Sequence, residues 1–113
     1  MGTHLMVSRG KAARNKGNSY ERKIMHEFIK LGWKDCLTSR NVNKLLDAAG
    51  VDLANTSPFN IQCKAVESAM QYIKILKGMP TKGINAIFHK RNRFEMVILS
   101  KKDFYKIIRR IND

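Results

Sequence analysis

From Val51 to Lys64 the chain reads Val-Asp-Leu-Ala-Asn-Thr-Ser-Pro-Phe-Asn-Ile-Gln-Cys-Lys, two short apolar runs separated by turn residues. Both runs have strand length, and the segment Asn55 to Pro58 punctuates them. Successive side chains of a strand point to opposite faces, so Gln62 and Lys64 share one face while Ile61, Cys63 and Ala65 share the other. One face is core and the other is polar. A turn at Ser57-Pro58 folds the first run back on the second and brings Asp52 beside the Gln62-x-Lys64 pair. A carboxylate, an amide oxygen and an ammonium then occupy one small volume, an arrangement suited to a metal ion and a phosphate.

The charge balance indicates where such a phosphate belongs. The chain has 113 residues, with 22 Lys plus Arg against 9 Asp plus Glu, a formal net charge of +13, in an otherwise ordinary globular composition that is 43% hydrophobic. An excess of this size attracts polyanions, and the length allows one domain with a modest core. The apolar stretches are short and interrupted by Lys or Arg, which excludes a membrane span, and the N-terminus lacks the apolar core of a signal peptide. Cys36 and Cys63 form neither a disulfide framework nor a metal-ligand spacing. These features indicate an intracellular, cytoplasmic protein with reduced thiols. Residues 1–5 read as a cloning remnant, with a second Met at position 6.

Along the chain, residues 8 to 18 carry four Lys or Arg and almost nothing apolar, the composition of a flexible basic arm. The organisation expected is therefore an arm over 1–17 and a folded domain over 18–113. Asn18 or Ser19 offers an N-cap for a helix whose apolar positions are Tyr20, Ile24, Phe28 and Leu31, ending at Gly32. Cys36 to Ser39 is a short strand candidate, and 40–50 is a Lys/Asn-rich loop. Strands at 51–54 and 59–65 follow, then a helix from Glu67 to Lys77, then two strands, "NAIFHK" and "FEMVILS", flanking Arg91-Asn92-Arg93 as a hairpin. Ser100 caps a last helix with Phe104, Ile107, Ile108 and Ile111 in one apolar stripe. The fold class is α/β, a single small domain with a central mixed sheet flanked by helices.

The order of elements, Glu21 in the first helix, Asp52 ending one strand and Gln62-Cys63-Lys64 on the next resemble the PD-(D/E)XK nuclease superfamily, whose sheet-and-helix core is that of restriction endonucleases. Within it the chain is most similar to the Holliday junction resolvases of archaea and phages, over roughly residues 16 to 100. That resemblance implies Mg²⁺-dependent hydrolysis of phosphodiesters in branched DNA, with Mn²⁺ as a substitute ion. It makes Asp52 the principal metal ligand, Glu21 the second carboxylate, and Lys64 the contact to the scissile phosphate and the attacking water. Ser39 falls where these resolvases keep a serine that touches the phosphate. Gln62 departs from the pattern, because an acid is usual there. An amide offers only a neutral carbonyl oxygen to the ion, so weaker metal binding is expected.

The partners implied are a four-way DNA junction and a second copy of the chain, since paired nicks from one site per chain require a symmetric dimer. Arg9, Lys11, Arg14 and Lys16 of the arm, with Arg40 and Lys44 of the loop, are the candidate DNA contacts. Two other readings remain open from the residues, a nicking, repair or flap endonuclease of the same fold and a DNA-binding module without catalysis. The residues also have simpler readings. Glu21 fits the third helical position of a capping box begun by Asn18, Asp47 fits a helix end, Cys63 fits the core, and His26 and His89 fit the surface or a DNA contact.

Overall fold

The computed structural model describes the backbone of residues 2–113 and the side chains from Gly10 onward. Helix α1 (Gly2–Lys30) leads into strand β1 (Leu37–Thr38), two short helices α2 (Ser39–Val42) and α3 (Lys44–Ala48), and strands β2 (Leu53–Ala54) and β3 (Phe59–Ala65). Helix α4 (Tyr72–Gly78), strands β4 (Ile84–Arg91) and β5 (Phe94–Ile98) and helix α5 (Lys101–Asn112) complete the chain. The fold is α/β, with a mixed three-stranded sheet in the order β3-β4-β5 and a separate antiparallel pair β1-β2.

Strands β3 and β4 run parallel, with Gln62 beside Ile87 and Lys64 beside His89. A parallel pair needs a crossover, and α4 supplies it. The β4-β5 hairpin is antiparallel and turns at Asn92, whose φ of 56° lies in the left-handed region that asparagine tolerates. The core forms where Tyr20, Ile24 and Phe28, successive turns of α1, pack on Ile61, Cys63 and Ala86 of the sheet and on Cys36 and Leu53. The alternation expected for β3 is present, with Ile61 and Cys63 buried and Gln62 and Lys64 half-buried on the opposite face. Helix α1 ends in a Schellman motif: Trp33 N–H donates to Phe28 O, Gly32 N–H donates to Ile29 O, and Gly32 has a φ of 119°. Leu31, expected on the apolar stripe, therefore swings out and is 71% exposed.

Several expectations are corrected. The basic segment read as an irregular arm is continuous with α1. Its Lys, Ala and Arg residues are strong helix formers, and the docked turns from Tyr20 onward provide the nucleus that an isolated arm lacks. Asn18 consequently lies inside a helix, so the capping-box explanation of Glu21 falls. The loop after Ser39 contains two short helices, and the Asn43 side chain caps the second by accepting from Leu46 N–H. The helix expected from Glu67 starts only at Tyr72, because the Glu67 carboxylate is taken by Lys16 and by the Asn92 N–H of the hairpin. His89 is fully buried. Its Nε2 donates to Val66 O at 2.8 Å, a carbonyl that only accepts, and its Nδ1 lies 2.7 Å from the Tyr72 hydroxyl. Ser100 caps α5 as expected, accepting from Asp103 N–H. Among the described residues no helix is long and apolar enough to cross a membrane.

Candidate functional site

Asp52 is fixed by three of its own groups. Its N–H donates to Ile61 O at 2.7 Å, its carbonyl accepts from Ser39 N–H at 2.8 Å, and its Oδ2 accepts from Cys63 N–H at 2.7 Å. The residue joins the β1-β2 pair to β3, and its carboxylate is set against the strand that carries Gln62 and Lys64. Burial raises the Asp52 pKa, opposed by the Cys63 N–H and by the nearby Lys64 ammonium. Cys63 is a buried core residue whose thiol is pushed up by burial and then by Asp52. Its backbone N–H, and not its sulfur, serves the site.

Glu21 projects from α1, one residue after the core residue Tyr20, toward the same place. Burial pushes its carboxyl up to about 7, the Asp52 carboxylate adds to the shift, and Arg40 opposes it. The field of the Asp52 carboxylate thus reaches Glu21. Asp47, exposed on α3, raises both of them further. Gln62 runs past Gly50, where a Cβ would stand 3.7 Å from its Oε1; Gly50 has a φ of 79° and lies two residues before Asp52. The structure thus sets the Asp52 carboxylate against the strand that carries Lys64, places the half-buried Glu21 of α1 within the field of Asp52, and sets Gln62 beside the loop that leads into Asp52. Among the described residues no three His, Cys, Asp or Glu side chains gather into a metal-holding group. The donors at hand are two carboxylates and an amide.

Ser39 is placed differently from the phosphate contact that the resemblance implies. It is fully buried and its hydroxyl donates to Val51 O. With its N–H on Asp52 O, it pins both residues of the segment that presents the acid, so it acts on the position of Asp52. Of the expected DNA contacts, Lys11 and Arg14 are exposed on α1 and Lys44 is exposed at the start of α3. Lys16 is paired with Glu67 at 2.6 Å. The side chain of Arg9 lies outside the described residues. Arg40 turns away from solvent, its Nε 3.6 Å from Glu21 Oε2. Sequence gave no signal of that pairing, because α2 and α1 meet only through the tertiary fold.

Comparison with protein-family models, with curated proteins and with solved structures returns no match. The functional reading rests on the geometry.

Proposed function

We propose that this chain is a divalent-metal-dependent endonuclease of branched DNA, with the four-way junction as its substrate and a restriction-endonuclease-like core as its scaffold. The observation that carries the reading is the pair Glu21 and Asp52. The two carboxylates come from distant parts of the sequence and are both half-buried, Asp52 is held against the strand that carries Lys64, and burial with the field of Asp52 pushes the Glu21 carboxyl up to about 7. A cation counters that field.

The donor set fits a hard ion. Carboxylate and amide oxygens suit Mg²⁺, with Mn²⁺ as a substitute, and Mg²⁺ is commonly held by only one or two protein carboxylates, the remaining positions going to water and phosphate. When bound, such an ion polarises a phosphoryl oxygen and acidifies a water. Asp52 Oδ2 is engaged by Cys63, which leaves Oδ1 for the ion. Glu21 supplies the second carboxylate, and Gln62 an uncharged oxygen. Lys64 sets positive charge where a phosphate gains negative charge on attack. Ser39 keeps Asp52 in place. Lys11, Arg14 and Lys44 supply sequence-independent attraction to the backbone, and a dimer gives the two sites that paired nicks require.

The test is incubation with labelled four-way, flap and linear DNA, with and without Mg²⁺. Metal-dependent paired nicks confined to the four-way substrate support the reading, and preferential flap or linear cleavage assigns a nicking or repair endonuclease instead. A DNA-binding module without catalysis is favoured by Gln62 in the place of an acid and by the lack of a three-ligand group among the described residues. It predicts junction binding with no metal-dependent product.

A further inference from the structure

Arg40 follows Ser39 in α2, and its guanidinium lies against Glu21. Its Nε stands 3.6 Å from Glu21 Oε2, with only 24% of the Arg40 side chain and 16% of the Glu21 side chain exposed. At that separation the two attract as charges without a hydrogen bond, and the Arg40 Nε is buried with no partner. A buried guanidinium N–H with no acceptor calls for a physical reason, and Glu21, the obvious acceptor, has not closed on it. The same short helix reaches the second acid, since Ser39, the neighbour of Arg40, donates its N–H to Asp52 O, so the one cation stands between the element that carries Glu21 and the residue Asp52. That is the electrostatic position of a divalent ion.

We propose that Arg40 is the counter-ion of the Glu21–Asp52 pair in the metal-free chain, that an incoming divalent ion displaces it, and that its freed guanidinium then takes a phosphate oxygen of the DNA. The inference rests on the reading of this pair as a metal site. A fork of N–H donors suits phosphate as well as carboxylate, so the same side chain has a partner in each state. Arg40 and the ion repel each other at the same acids. Removing the guanidinium must therefore tighten the hold on the ion while slowing cleavage, a combination that neither a simple DNA contact nor a structural brace produces.

The experiment is calorimetric titration with Mg²⁺ in the absence of DNA, at about pH 8.5, where proton competition at Glu21 is small. Arg40→Met should bind Mg²⁺ about tenfold more tightly than the parent, as expected from removing one nearby like charge. Arg40→Lys, which keeps the charge, should stay within about twofold of the parent, and Asp52→Asn should bind no ion at this site. Arg40→Met should at the same time cleave more slowly than the parent at saturating Mg²⁺. The Arg40 Nε–H resonance of the parent gives a readout independent of any variant's folding, and it should move on addition of Mg²⁺ alone. Unchanged or weaker Mg²⁺ binding in folded Arg40→Met, or an Nε–H resonance indifferent to Mg²⁺, overturns the counter-ion role while leaving the metal site intact. A parent that takes up no Mg²⁺, or takes it up equally with Asp52→Asn, overturns the metal reading itself.

Discussion

Glu21 carries the clearest physical signature of the site, a carboxyl that burial and Asp52 push up to about 7. In the unfolded chain it ionises near the ordinary carboxylate value, so between about pH 4.5 and pH 7 the folded state holds a proton that the unfolded state has lost. Stability of the metal-free protein therefore falls as pH rises through that window. Glu21→Gln removes this contribution, and its melting temperature at pH 8 should exceed the parent's by about 5 °C, with no gain at pH 4.5. Thermal melts at the two pH values in chelator check this, and an equal shift at both would assign the effect to packing. Gln62 is tested by metal titration. Gln62→Glu adds a charge to the donor set and should lower the Mg²⁺ concentration for half-maximal cleavage, whereas Gln62→Leu should raise it or end activity. Two variants that titrate like the parent would place Gln62 outside the ion's reach.

At the scale of elements, the parts that local pattern determines were legible in the sequence. The period-two alternation of β3, the Tyr20-Ile24-Phe28 stripe of α1, the Ser100 cap of α5 and the hairpin around Asn92 all stand in the structure. Asp52 stands just before β2 and does not end a strand as the sequence suggested, yet its carboxylate is set against β3, the strand that carries Gln62 and Lys64, by the Cys63 N–H. What was hidden depends on distant partners. The burial of His89 requires Tyr72 and Val66, the inward turn of Arg40 requires Glu21, and the late start of α4 follows from Glu67 being held by Lys16 and Asn92. Composition alone also misjudged the basic segment, whose residues have high helix propensity and continue a helix that is already docked. With Lys11 and Arg14 exposed on α1, Lys11→Gln combined with Arg14→Gln should flatten the salt dependence of junction binding. The expected change in log–log slope is about 2 units, from roughly −0.9 for each lost phosphate contact. Binding isotherms at several salt concentrations measure it, and an unchanged slope would remove this face of α1 from the DNA footprint.

For the whole molecule, two properties follow from the proposed activity. The net charge of +13 should give the parent a slope steeper than about −5 if six or more phosphates are neutralised. Paired nicking requires two copies, and the stripe on α5 is available to a second chain, with Phe104 48%, Ile108 40% and Ile111 79% exposed. Ile108→Glu places a charge in the middle of that stripe and should convert a dimer to a monomer in sedimentation, with single nicks replacing paired cuts. A dimer that survives the change would lie on another surface.

The central claim is that Asp52 holds an ion that cleaves DNA, while the basic surface binds DNA independently of it. The most direct measurement compares the parent with Asp52→Asn on one labelled four-way junction, recording affinity and cleavage across a Mg²⁺ titration. The account predicts that the parent cleaves only with Mg²⁺ and that Asp52→Asn loses cleavage while its affinity stays within about threefold of the parent, since one carboxylate contributes little to phosphate attraction. Equal loss of affinity and cleavage, or cleavage that persists in Asp52→Asn, would contradict it.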